Sequence, residues 1–141
     1  MSDALLKEAL ECVNNRQFQE ATVILKELLE NTEQDEPNYF KGIKLYADIL
    51  GPITGHDYNL AIDFYQQIVN QCEDDALYES AQVSILTSYL NLSIHYMETF
   101  ENTIDVIETA DESTNNILTE LSAQREKFIV QRAEAIYKER M

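Results

Sequence analysis

Apolar residues recur along the chain at three- and four-residue steps, the period of one buried face of an α-helix. The clearest run is Tyr58, Ala61, Tyr65, Ile68 and Val69. Forty residues earlier Phe18, Ala21, Leu25, Leu28 and Leu29 have the same spacing, and thirty-eight residues later Tyr96, Thr99, Thr103, Val106 and Ile107 form a third copy. A companion stripe precedes each one: Leu5, Ala9 and Cys12, then Ile43, Ala47 and Leu50, then Val83, Thr87 and Leu90. Polar or breaker segments separate the runs, at Asn14-Asn15-Arg16-Gln17, Thr32 to Pro37, Gly51-Pro52-Ile53-Thr54-Gly55, Glu73-Asp74-Asp75 and Asp111 to Thr114. The pattern predicts one all-α domain spanning residues 1–141. It consists of three antiparallel helical hairpins over about 2–32, 36–72 and 76–110, stacked as an array, and a capping helix over about 115–140. Within it, Ser2 or Asp3 is expected to cap the first helix, Pro37 to open the third, and His56 or Asp57 to open the fourth. Leu118, Leu121, Phe128, Ile129 and Ile136 are the expected buried stripe of the capping helix.

Composition agrees with an ordered helical chain. Hydrophobic residues make up 45% and glycine and proline number only three and two, so the sequence has apolar material for a core and few breakers. Cys12 and Cys72 fall on apolar stripes and are expected to be reduced structural thiols. The first residues show no long apolar run behind a basic start, so a cytoplasmic chain is expected. The sequon Asn91-Leu92-Ser93 falls within a predicted helix and carries no weight there.

Charge changes the picture more. The net charge is −16, and between Leu45 and Gln124 there is no Lys or Arg against fourteen Asp and Glu. From Arg125 to Arg140 the balance reverses, with five basic residues and three acidic ones. Such a field disfavours nucleic acid and anionic membrane as direct partners and steers basic proteins toward the chain. Glu101, Asp105 and Glu108, at four- and three-residue steps, would present three carboxylates on one helix face. This acidic face is one candidate partner-binding surface.

Catalysis finds no support. His56 and His95 stand alone, and no metal-binding spacing, nucleophile elbow or phosphate loop is present, so neither a metal nor a cofactor is expected.

The hairpin register resembles the tetratricopeptide repeat, in which a small residue lies mid-way along the first helix and an aromatic, then an alanine, open the second. Asp57-Tyr58-Asn59-Leu60-Ala61-Ile62-Asp63-Phe64-Tyr65 and Gln17-Phe18-Gln19-Glu20-Ala21 carry the likeness. Thr99 and Thr103 depart from it in the third copy, the first-helix tryptophan is absent, and the spacing is forty and thirty-eight residues rather than about 34. The resemblance implies partner binding on a concave face of first helices. Those positions here are Leu6, Leu10, Val13, Lys41, Lys44, Asp48, Ser84, Ser88 and Asn91. With leucines at the two first-repeat positions, the carboxylate grip known in that family is not expected. Two readings follow: a non-enzymatic adaptor or chaperone that binds a partner protein or peptide, or an acidic inhibitor that neutralises a basic toxin or nuclease, with DNA mimicry as one route. Self-association through Val130, Ala133 and Tyr137 of the last helix is a further expectation.

Overall fold

A computed structural model describes residues 1–107 and 111–140, the side chains of Ile136, Tyr137 and Arg140 excepted. Among the described residues the chain is helical with no strand: α1 (Ser2–Asn14), α2 (Phe18–Asn31), α3 (Pro37–Asp48), a single π turn (Ile49–Ile53), α4 (Tyr58–Gln71), α5 (Asp75–Val106) and α6 (Glu112–Arg140). Two compact units emerge, Met1–His95 and a second that begins at Tyr96.

In the first unit α1 packs on α2 and α3 on α4, and α3 also packs on α1 and α2. The first turn is sharp because Arg16 takes the left-handed conformation (φ 59°), which lets the Gln17 amide bond the Cys12 carbonyl at 2.8 Å. At the second connection Pro37 opens α3, where its missing amide hydrogen costs nothing. Asp57 caps α4 by accepting from the Leu60 amide at 3.0 Å, and Asp74 accepts from the Leu77 amide at 3.1 Å at the start of α5. The expected cap on α1 does not form. Ser2 Oγ and Asp3 Oδ1 instead accept hydrogen bonds from the Asn38 side chain, at 3.0 and 2.5 Å, and so tie α1 to α3.

The core forms two clusters. Ala9, Cys12, Ala21, Leu25, Leu45 and Ile49 make one; Phe40, Ile43, Ala47, Ala61, Tyr65, Ile68 and Ala81 make the other. Both thiols are free, and burial, helped by Glu20, Glu8 and Glu11, raises the Cys12 pKa and keeps that thiol protonated. The π turn seats against this core through Gly51. A Cβ there would lie 2.9 Å from Ala61 Cβ and 3.5 Å from Ser88 Oγ, so only glycine lets the turn approach α4 and α5 so closely.

The turn expected within the third hairpin is not present among the described residues. Where two helices meeting near Leu92 to Tyr96 were predicted, α5 runs unbroken for 32 residues. No glycine or proline interrupts that stretch. Its hydroxyls bond back along the helix instead of capping a new one: Ser93 Oγ donates to the Tyr89 carbonyl at 2.9 Å and Thr103 Oγ1 to the Thr99 carbonyl at 2.7 Å. The expected end of the sixth helix near Ala110 lies outside the described residues. The rotation of α5 also differs: Val83, Thr87 and Leu90, expected inside, are exposed, and Ala81 and Ser88 are buried in their place. Small residues are needed on that face because it meets Gly51 and the core closely.

In the second unit Asp111 caps α6, its carboxylate accepting from the Ser113 amide at 2.9 Å. Arg125 bonds Glu101 at 2.5 Å and lies over the Phe100 ring at 5.4 Å. The stripe expected to be buried on α6 is mostly bare. Leu118 is half-buried, but Leu121, Phe128 and Ile129 are exposed, and the half-buried line runs instead through Leu118, Ser122 and Arg125.

Replacing Gly51 by alanine should lower stability by about 1–3 kcal/mol, because the new methyl meets a Cβ that cannot rotate away. At Gly42 the nearest atom is the Leu28 Cδ2 tip, at 2.8 Å from a built Cβ, and alanine also favours the helix. Gly42→Ala should therefore cost less than Gly51→Ala in urea denaturation.

Candidate functional site

The residues expected on the concave face do not form one open surface. Leu6 and Val13 pack against the first core cluster, Leu10 and Lys41 are exposed, and Asn91 is half-buried. Ser88 has no accessible surface and donates to the Ser84 carbonyl at 2.8 Å, so it cannot meet a partner; this corrects its expected role. The cause is the rotation of α5, which turns Ser84 and Ser88 inward.

Three of the predicted residues do converge. Lys44 Nζ bonds both carboxylate oxygens of Asp48 at 3.0 Å, one helical turn away on α3. The Tyr65 hydroxyl, rising from α4, donates to Asp48 Oδ1, and Lys44 Nζ lies 5.6 Å from the centre of the Tyr65 ring. Ser84 of α5 also hydrogen-bonds this hydroxyl. Burial, and then the hydrogen bond to Asp48 and its charge, push the Tyr65 pKa far up; Ser84 partly offsets them. The cluster therefore joins three helices through a phenol that stays protonated. It is a polar clasp, and its ionic groups already satisfy one another.

The acidic face is also altered. Glu101 is engaged by Arg125, Asp105 is exposed, and Glu108 lies outside the described residues. Of the residues expected to mediate self-association, Val130 and Ala133 are exposed, and the side chain of Tyr137 lies outside the description.

The largest feature that the pattern missed is a bare apolar stripe on α5. Val83, Leu86, Leu90 and Ile94 follow steps of three, four and four residues and so share one face, opposite to Ala81 and Ser88 at 100° per residue. They are 63%, 68%, 61% and 43% exposed. A cleft of about 920 Å³ borders the stripe, lined by Val69 and Asn70 of α4 and by Glu79, Val83 and Leu86 of α5. A signal was present in the sequence: Leu77, Ile85 and Leu92 share the core face with Ala81 and Ser88, so this helix carries apolar residues on two opposite faces, more than a single core contact needs.

No group of three His, Cys, Asp or Glu side chains able to hold a metal occurs among the described residues, and no helix there is long and apolar enough to cross a membrane. Comparison with protein-family models, with curated proteins and with solved structures finds no match.

The Tyr65 clasp has a pH signature. A raised phenol pKa contributes stability that is complete below the unfolded value near 10 and is lost as pH climbs toward the folded value. Tyr65→Phe should thus cost about 1–3 kcal/mol at pH 7, and the gap to the parent chain should narrow above pH about 10 in denaturation titrations.

Proposed function

We propose that this chain is a non-enzymatic binding module, a tetratricopeptide-like adaptor or chaperone, that receives an amphipathic helix of a partner protein along α5. The observation that carries this reading is the exposed stripe of Val83, Leu86, Leu90 and Ile94. In a helical stack each hairpin leaves an apolar face for the next element to cover. Here α5 runs on as one unbroken helix, and its face turned from the core stays bare. Fully burying one leucine is worth about 1.5–3 kcal/mol, so covering four large side chains is a strong driving force for association.

Charge narrows the partner. No Lys or Arg occurs between Leu45 and Gln124, and Glu79 borders the cleft. A helix with an apolar stripe and basic flanks matches both features, with the apolar contact supplying affinity and the charge supplying speed of encounter.

The acidic-inhibitor reading shares the basic partner but places recognition on exposed carboxylates such as Asp105, and the charge of −16 favours it. The two readings separate under salt. Contacts between exposed charges are screened over about 8–10 Å at physiological ionic strength, whereas apolar burial is not.

The test is affinity capture from native extract, with the captured protein then purified for titration. Leu86→Glu combined with Leu90→Glu should weaken binding at least about tenfold while the far-ultraviolet circular dichroism and melting temperature stay near parental, since both side chains face solvent in the free chain. Leu6→Ser with Leu10→Ser should leave binding intact. Loss with the second pair instead would move the site to the face of the first helices. A partner released by high salt but unaffected by the α5 substitutions would establish the inhibitor reading.

A further inference from the structure

Between α2 and the π turn lies a cleft of about 430 Å³, distinct from the α5 stripe. Its walls are mainly apolar, from Phe18, Tyr46, Ile49 and Leu50. The Tyr46 ring is held edge-on to Phe64, with centroids 5.4 Å apart, so this wall is fixed before any ligand arrives. Lys26 and His56 also line the cleft, and no carboxylate does. In a chain with 26 acidic residues against ten Lys and Arg, that exclusion sets the cleft apart. A cleft at the start of α3 shows the contrast, being lined by Asp35, Glu36, Glu73 and Asp74.

The backbone explains why the space exists. Gly51 seats the π turn against Ala61 and Ser88, and Pro52 within the turn has no amide hydrogen to continue an α-helical ladder. The Thr54 hydroxyl donates to the Ile49 carbonyl and holds the turn wide. The segment is thus drawn toward α4 and α5, and its α2 side is left open. Lys26 has no carboxylate partner among the described residues, where the ion pairs are Lys44 with Asp48 and Arg125 with Glu101. Its ammonium group is therefore available to an anion entering the cleft. Thr22 spends its hydroxyl hydrogen on the Phe18 carbonyl at 2.9 Å, so the Lys26 ammonium carries the anion selectivity.

From this lining we infer that the cleft binds a small monocarboxylate with an aromatic or branched apolar body. The apolar walls take the body, and Lys26, joined by His56, takes the carboxylate. The volume falls within the range of about 300–1,000 Å³ typical of small-ligand sites. The negative field of the whole chain opposes polyanions, so nucleotides and polyphosphates are disfavoured and a single charge is the fit. This site is independent of the α5 surface.

The test uses three probes on the full chain labelled with ¹⁵N: 3-phenylpropanoate, its neutral amide 3-phenylpropanamide, and N-acetyl-phenylalanine. Amide resonances of Gln19, Thr22, Thr54 and His56 report occupancy. Both acids should give saturable shifts with dissociation constants near the millimolar range, and the amide should bind about tenfold more weakly. N-acetyl-phenylalanine binding more tightly would assign the site to the end of a peptide chain, and 3-phenylpropanoate binding more tightly would assign it to a free acid. Lys26→Gln should weaken the acids several-fold without changing the amide, and adding His56→Gln should bring acids and amide level. Both side chains are exposed, and an unchanged spectrum elsewhere confirms the fold. Leu86→Glu with Leu90→Glu should leave these titrations unaltered, so failure of the adaptor reading and failure of this one are separable. No saturable shift at about 10 mM acid, equal binding of acid and amide, or parental affinity in Lys26→Gln/His56→Gln would each overturn the proposal.

Discussion

Close approach at small residues is the constraint on which the first unit depends. Ala9, Ala21, Ala47, Ala61 and Ala81 have no accessible surface, and Gly51 and Ser88 extend the same seam into the π turn and α5. Where side chains are this short the helix backbones come near one another, and the larger residues Leu25, Leu28, Ile43, Tyr65 and Ile68 fill the space on either side. The turn chemistry follows from that packing. Gly51 must lack a Cβ because Ala61 occupies its place, and the displaced turn then leaves the acid-free cleft next to α2.

The polar clasp depends on the same seam. Tyr65 crosses from α4 to Asp48 only because Ala47 and Ala61 let α3 and α4 lie close, and its hydroxyl then meets an acceptor already neutralised by Lys44. A lone buried phenol or carboxylate would cost several kcal/mol, whereas the linked set satisfies each member in turn. Its value is therefore orientation more than net energy. It fixes how α3, α4 and α5 are rotated, and that rotation sends Ser88 inward and Leu86 outward.

Much of this was legible in the sequence, for a physical reason that also marks where reading stops. The first two hairpins are bounded by residues with strong local preferences, Asn14-Asn15, Pro37, Gly51 to Gly55 and Asp57, and their alanines recur at the spacing their packing needs. All-helical architecture and the places of α1 to α4 followed directly. Beyond Asp75 the third copy keeps its periodicity but lacks a breaker between Leu92 and Tyr96, and repeat spacing alone does not bend a helix. The site was harder still. Lys44, Asp48 and Ser84 were placed on one face from a register, but their convergence on Tyr65 is tertiary. The Lys26 and His56 cleft joins segments thirty residues apart, with no local pattern to announce it.

Since α5 is apolar on two opposite faces, burying either one leaves the other outside. The face with Ala81 and Ser88 takes the core: Ser88 lies beside Gly51 where a larger side chain would not fit, and Leu77 and Ile85 pack on the core from the same face. The bulkier Val83, Leu86, Leu90 and Ile94 are then turned to solvent by exclusion, whatever their hydrophobicity. An exposed stripe of this size on a monomer would ordinarily promote aggregation. Here the surrounding segment carries carboxylates and no basic residue, so two such faces repel each other. The acidity and the bare stripe are in this sense linked: the carboxylates around the apolar face oppose its pairing with the same face of a second copy.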